Sequence, residues 1–258
     1  MKTRALLKHT LTILLLLLPT MVSAIVNMNG LHFEKNSKPF NIDISLRLSG
    51  SSGNSNTKKE SISGQFSWVY DKSIHLAILG FDQGESNNVR DTDKAFTHYR
   101  FINKINDTLD WELFAQLEQN EFTRLTYRGF IGAGVRVSVL PSKNHHTYFG
   151  SGAFHVKEKI AYVEGLTDDG VESFARANIY LLSQYNVSST VKLSNAVYYQ
   201  PRLSDIADYR ALAESKLDIK INDEMAFRVS LEIEHDNKPS QTIEKTDVNY
   251  MTGLMYSF

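Results

Sequence analysis

Taken at every second position, residues 40 to 49 place Phe40, Ile42, Ile44, Leu46 and Leu48 on one face and Asn41, Asp43, Ser45, Arg47 and Ser49 on the other. That is the period of a strand with one apolar side. The pattern returns as Ile62, Gly64, Phe66, Trp68 and Tyr70, and, after a turn at Asp71-Lys72-Ser73, as Ile74, Leu76, Ile78 and Gly80. A short connection between two such runs predicts a hairpin. Further along come Ala95, Thr97, Tyr99, Phe101; Leu109, Trp111, Leu113, Ala115, Leu117; Leu125 through Val139 in steps of two; and Tyr148, Gly150, Gly152, Phe154, Val156. Ala175 to Leu181, Val191 to Tyr199, Ala211 to Ile221, Met225 to Ile233 and Val248 to Phe258 complete a predicted set of about twelve strands.

The opposite faces carry charge, for example Glu112, Gln116 and Glu118, then Arg124, Arg128 and Arg136, then Arg210, Glu214, Lys216, Asp218 and Lys220. A soluble sandwich with its apolar face inward shows the same alternation. Three features favour a closed antiparallel transmembrane β-barrel, whose apolar face meets lipid. Connections after odd strands are long (Gly50 to Thr57, Gln83 to Asp93, Lys157 to Glu172, Pro201 to Asp208, Asp236 to Thr246), and those after even strands short (Asp71 to Ser73, Asn186 to Ser189, Asn222 to Glu224), as short periplasmic turns and longer outer loops require. Gln119 to Thr123 departs from this rule by being short. Aromatics gather at one set of strand ends, with Phe40, Trp68, Tyr70, Tyr99, Phe101, Trp111, Tyr148, Tyr256 and Phe258 forming an expected interfacial girdle. The strand count is also even, and the runs are long enough to cross a bilayer when tilted. Helical signals are nearly absent; Asp205 to Tyr209 could form at most one turn in a loop.

Residues 1–24 read as an export signal: Lys2, Arg4 and Lys8, an apolar core from Leu11 to Leu18, Pro19, and a small-residue cleavage site at Val22-Ser23-Ala24. The alternative, an uncleaved anchor, lacks the ~20 apolar residues of a spanning helix. Residues 25–38 then form a short periplasmic segment, and 39–258 the barrel. Beyond residue 24 no apolar run exceeds four residues, so no spanning helix is expected. With 28 basic against 29 acidic side chains the chain has no nucleic-acid footprint, and with no cysteine it has no disulfide framework, thiolate metal site or lipid-modified N-terminus.

The chain ends on Tyr250, Thr252, Leu254, Tyr256 and Phe258, all on one face. This resembles the C-terminal signal of bacterial outer-membrane proteins, and implies the barrel-assembly machinery and periplasmic chaperones as partners, with outer-membrane lipid and lipopolysaccharide as surroundings. Leu48-Ser49-Gly50-Ser51-Ser52-Gly53-Asn54-Ser55-Asn56 and Leu125-Thr126-Tyr127-Arg128-Gly129-Phe130-Ile131-Gly132-Ala133-Gly134-Val135 resemble the first-hairpin and Arg-x-x-x-Gly-x-Gly motifs of a family of bacterial barrels labelled salt-induced outer membrane proteins, whose function is undetermined. Ser55 stands where that family favours Thr. The motifs carry no known chemistry.

Candidate chemistry is sparse. His98, His155 and His235 lie on or near strands, but no His-x-Ser pair of the phospholipase type occurs. Asp91 with Asp93, and His235-Asp236, suit a solvated loop better than a protease site. His145-His146 sits in a predicted turn with too few ligands for a closed metal site. Gly132-x-Gly134 and Gly150-x-Gly152 precede no helix and so are no phosphate loops; they are expected to relieve crowding or to curve adjacent strands. Asp168-Asp169-Gly170, after Glu164, lacks the ligand spacing of a calcium loop. No cofactor or enzymatic activity is expected. The functional clue is the lumen charge: Arg124, Arg128 and Arg136 on the sixth strand face Glu112 and Glu118 on the fifth, and opposite signs at cross-strand distance pair. Such a network either fills and stiffens the lumen, giving a structural or envelope-stress barrel with at most restricted solute passage, or lines a narrow mixed-charge channel. A membrane-embedded hydrolase is the third reading, and a nucleophile–base contact would be its mark.

Overall fold

The computed structural model describes residues 39–51, 57–139 and 142–258, with side chains from 49 to 51 excepted. The expected signal, the 25–38 segment and residues 52–56 of the first-hairpin motif lie outside the described residues. Twelve strands follow in chain order: β1 Phe40–Ser51, β2 Thr57–Tyr70, β3 Ser73–Ser86, β4 Val89–Lys104, β5 Leu109–Asn120, β6 Leu125–Val139, β7 His145–Ile160, β8 Gly170–Asn186, β9 Val191–Arg202, β10 Asp205–Lys220, β11 Met225–Asp236 and β12 Thr246–Ser257. Each pairs antiparallel with the next, and β12 pairs with β1 to close the barrel. Closure removes the sheet edges that hydrocarbon cannot solvate. Phe40 and Phe258 mark what is here termed the terminal end; the opposite end is the loop end.

Two loop-end connections expected to be long are not. Gln83 to Asp93 is absorbed by β3 and β4, which meet at Asn87 and Asn88, both left-handed at φ 51° and 63°. Asparagine tolerates that conformation, and two such residues in series make the turn that matches strand twist. Pro201 to Asp208 likewise runs as strand on both sides of Leu203 and Ser204, so Asp205 to Tyr209 is extended and not helical. Among the described residues, the loop-end connections that stay long are 161–169 and 237–245. A 3-10 turn at Glu121–Thr123 closes the short β5–β6 link.

Alternation orients ten strands as the sequence predicts. Leu46, Ile62, Leu113, Leu117, Leu181, Val197, Val229 and Leu254 are exposed on the exterior while Ser45, Ser61, Glu112, Arg176, Tyr198 and Asn249 are buried inside. On β3 and β7 the phase is the reverse of the expected one. Ile74, Leu76 and Ile78 are buried, with Leu79 and Phe81 exposed; Gly150, Phe154 and Val156 face inward and Phe149 outward. Both faces of residues 74–81 are apolar, so hydrophobicity cannot set the phase; the register, with Leu76 opposite inward Ser67 and outward Trp68 opposite His75, does. Tyr148 consequently lies under the Arg136 guanidinium inside the barrel and leaves the girdle. Leu125 is buried too, because a bulge between Leu125 and Tyr127 shifts the first residues of β6.

The girdle itself is continuous over β2–β5: Tyr70, Trp68, His75, Phe101 and Trp111 contact in series, ring centroids 5.0–6.0 Å apart. Amphipathic rings at one height match a membrane–water interface.

Candidate functional site

The interior carries the chemistry, and it is layered. At the terminal end a cavity of about 560 Å³ opens between turns 187–190 and 221–224, lined among others by Lys192, Asp218, Lys220 and Met255. Its walls are mixed in sign: Arg228 clamps Asp218 with two contacts at 2.6 and 2.9 Å.

Above it an apolar floor crosses the lumen. Ile74, Leu76, Ile78 and Ile102 from β3 and β4 form one buried cluster with Tyr180, Leu182, Ala196, Tyr198 and Leu212 from β8, β9 and β10. These strands lie on opposite sides of the barrel, so their side chains meet across it. Tyr180 reaches this position because Gly150 beneath it has no side chain; a Cβ there would fall inside the Tyr180 ring. Gly132 similarly seats Phe114 against Phe154. Gly132 and Gly150 are therefore sockets for inward aromatics, while Gly134 and Gly152 let the two strand backbones approach closely.

The Tyr180 hydroxyl donates to Glu112 at 2.9 Å, and Arg100 donates to the other oxygen of Glu112, also at 2.9 Å. Arg100 stacks over Phe114 at 4.8 Å. Nearer the loop end, a belt of ion pairs crosses from β5 to β11. Glu118 meets Arg128 at 2.7 Å, Arg128 meets Glu158 at 2.7 Å, Glu158 meets Arg210 at 3.2 Å and Arg210 meets Asp236 at 2.7 Å. Each Arg thus serves two carboxylates, which compensates the desolvation of buried charge. Arg176 adds a pair to Asp208 at 2.6 Å.

The last layer is a strap at the loop end. Arg124 donates to Asp168 at 2.7 Å, to the Gln241 carbonyl at 3.2 Å and to the Ala161 carbonyl at 2.9 Å, while the Gln241 N–H donates to the other Asp168 oxygen at 2.6 Å. Arg124 and Asp168 join loops 161–169 and 237–245, and the Thr167 N–H adds a bond to the Gln241 side-chain oxygen at 3.0 Å.

Of the five lumen charges expected from sequence, the structure brings together Arg128 and Glu118 alone. Glu112 turns to Arg100 and Tyr180, and Arg136 pairs with Asp110 at 2.8 Å, its directly opposed residue. Arg124 sits at the rim, where its left-handed backbone at φ 60° ends the 3-10 turn and lifts its side chain into the loops. The sequence reading places Arg210 on an inward face without a partner, and leaves Arg100, Asp110, Glu158, Arg176, Asp208 and Asp236 out of the network. Alternation gives the inward phase of Arg100, Asp110, Arg176 and Arg210 but not that of Glu158, whose strand has the reverse of the expected phase, and the partnership of Glu158 with Arg210 spans β8 and β9 and follows only from closure.

The C-terminal residues Tyr250, Leu254, Tyr256 and Phe258 lie on the exterior of β12, with Tyr256 edge-on to Phe258 at 4.6 Å. His98 is buried against Gln116 at 3.0 Å, and His145 accepts or donates between Thr147 and Ser183. His155 Nε2 lies 2.8 Å from Ser173 Oγ on the exterior, a nucleophile–base contact that adjacency in sequence did not reveal. Among the described residues no third side chain orients its other ring nitrogen, as hydrolytic sites require.

No curated protein matches the chain by sequence. Solved structures do match its fold. The translocator domain of the autotransporter NalP from Neisseria meningitidis shares 10% identity, with 87% of this chain and 90% of that one covered at a TM-score of 0.53. An outer membrane channel from Pseudomonas putida F1 shares 9% identity, covering 90% of this chain and 99% of its own at 0.50. At such identities the likeness is one of fold, that of outer-membrane β-barrels. Residues 44–258 match the model of the family described as "Protein of unknown function, DUF481", and the chain belongs to that family.

Proposed function

We propose that this protein is a structural or envelope-stress barrel of the bacterial outer membrane, with at most restricted passage of solutes. The terminal end faces the periplasm and the strap faces outward; β12 is read by the barrel-assembly machinery, and lipopolysaccharide surrounds the loop end. The observation that carries the reading is the apolar floor, in which buried side chains from opposite walls touch across the lumen. Water-filled pores are lined by polar groups, whereas contact between aliphatic side chains excludes water. The rival reading, a narrow channel, draws on the open cavity below the floor and the mixed charges above it.

Planar-bilayer recording of the refolded mature protein separates them. The structural reading expects no conductance in the wild type or in Arg128→Ala, because the floor persists when the belt is cut. It expects steps to appear in a Leu76→Ala, Tyr198→Ala double variant that thins the floor. A conducting wild type whose ion preference changes in Arg128→Ala would establish the channel instead. No hydrolytic role is proposed for His155 and Ser173; release of fatty acid from phospholipid by the wild type but not by Ser173→Ala would overturn that.

A further inference from the structure

The exterior of the barrel at its loop end is of two kinds. Over β9–β11, Tyr199, Tyr209 and His235 lie in series, ring centroids 5.4 and 5.5 Å apart, a second girdle that marks the other membrane interface. Over β7 and β8 the outward positions are instead Ala153, His155, Lys157 and Lys159 on one strand and Val171, Ser173, Ala175 and Ala177 on the other. Lys157 and Lys159 are both exposed and, two positions apart on one face, lie about 7 Å from each other along β7. Ser173 stands directly opposite Lys157. His155 Nε2 meets Ser173 Oγ at 2.8 Å, which leaves the second ring nitrogen of His155 for another partner. These four polar side chains occupy one strand pair, within reach of a single head group. On the β6 side the residue opposite Lys157 is Gly129, so no side chain shields the lysine there.

Neither lysine has a carboxylate partner among the described residues. At the same end of the barrel Lys58 meets Glu60 at 2.6 Å and Arg90 meets Asp93 at 3.1 Å. The acids next to the two lysines are already taken, Glu158 by Arg128 and Arg210, and Glu172 by Arg202. From the lysines toward the terminal end the wall is smooth: Ala153 opposes Ala133 on β6 and Ala177 on β8, and Ala175 opposes His155. Side chains this small let an acyl chain lie close against the strands and collect dispersion contacts. An apolar trough that ends in two uncompensated ammoniums is complementary to an anionic amphiphile.

We propose that the exterior of β7 and β8 at the loop end holds one phosphomonoester-bearing lipid, the phosphorylated glucosamine anchor of lipopolysaccharide. Its phosphate lies between Lys157 and Lys159, a sugar hydroxyl meets His155, and an acyl chain runs along Ala153 and Ala177. A phosphomonoester carries about 1.5 to 2 negative charges at neutral pH, which two ammoniums balance, whereas the phosphodiester of a glycerophospholipid carries one. The site rests on the reading that the loop end faces outward, yet the two fail separately. Cysteine labelling on intact cells tests that orientation; lipid retention by the isolated barrel tests this site whichever way it faces.

Native mass spectrometry of the refolded mature barrel in detergent, mixed with the purified phosphorylated anchor, counts the lipid retained. The wild type is expected to keep one molecule, and a Lys157→Gln, Lys159→Gln double variant to hold it about tenfold more weakly. Arginine at both positions should keep it, because the charges remain. Lys58→Gln, which removes an exposed ammonium already paired with Glu60, should leave retention unchanged. The wild type should hold phosphatidylglycerol, or the anchor stripped of its phosphates, about tenfold less well. Gel mobility of the unboiled protein confirms that each variant still folds. Undiminished retention in the double glutamine variant, equal retention of phosphatidylglycerol, or a wild type that keeps no lipid would each overturn the proposal. An equal loss in Lys58→Gln would do so too, by showing that diffuse charge and no particular site holds the lipid.

Discussion

Tyr180 and Glu112 belong to β8 and β5, with β6 and β7 between them, and their side chains meet at 2.9 Å over a surface that Gly134, Gly150 and Gly152 leave bare. The contact ties the apolar floor to the buried Arg100–Glu112 pair. It makes the glycines the controlling residues of this layer. Gly150→Ala forces the Tyr180 ring aside and should cost about 1–3 kcal/mol, as overpacking does. Tyr180→Phe loses one hydrogen bond to a carboxylate that keeps Arg100, and should cost about 1 kcal/mol. Urea midpoints of the refolded barrel, read from gel mobility without boiling, give the order; a larger loss in Tyr180→Phe would mean the ring is not seated on Gly150.

Leu113 and Val229 are exposed to lipid near mid-strand. An Arg at either should cost about 2–4 kcal/mol at the bilayer midplane. Gln116 faces the lumen, and were that lumen wet, substitution there would be nearly free. Instead it is 2% exposed and bonded to His98 and Glu118. Gln116→Leu should therefore cost about 1–3 kcal/mol by stripping buried partners. Unchanged stability in Gln116→Leu, measured by the same urea series, would show water in place of this packing.

The contrast between Gln116 and Leu113 marks how far sequence reading reaches. Alternation separated lumen from lipid on ten strands because their two faces differ in polarity, and hence it yielded barrel, strand number and most of the girdle. It failed on β3 and β7, where Ile74 and Leu79, or Phe154 and Phe149, make both faces apolar and only cross-strand register decides. Of the site, inward phase was legible for Glu118 and Arg128, which are directly opposed. The pairing of Glu112 was not, since Arg100 reaches it diagonally from β4, where Ile102 is the residue opposite. Nor was Arg124 at the rim, which depends on a left-handed residue ending a 3-10 turn that no local signal announced.

Orientation in the membrane yields a labelling pattern. Cysteines introduced at Asn87, in the β3–β4 turn, and at Asp168, in loop 161–169, should react with an impermeant maleimide on intact cells. One at Asn222, between β10 and β11, should react only after the outer membrane is permeabilised. Labelling of residue 222 alone on intact cells would invert the topology. Asn54 should behave as Asn87 does, though it lies outside the described residues.

The strap gives a pH dependence whose sign can be worked out. Burial pushes the Asp168 carboxyl up from its ordinary 3.8, but the Gln241 N–H and the Arg124 guanidinium outweigh it and hold the group lower. A depressed carboxylate contributes its stabilisation in full above the ordinary value and loses it as pH falls through the lowered one. The two loops should thus stay joined at neutral pH and part in acid below 3.8. Asp205 also meets the Lys238 ammonium at 2.6 Å, but that pair ties loop 237–245 only to β10. Asp168→Asn and Arg124→Ala separate the two effects. Spin labels at Leu166 and Ile243 should show a narrow distance distribution in the wild type at pH 7 that broadens as the pH falls below 3.8. Both variants should be broader than the wild type at pH 7, with little further change in acid. A wild-type distribution that broadens at no acid pH at which the barrel stays folded would mean that the carboxylate of Asp168 does not hold the loops together.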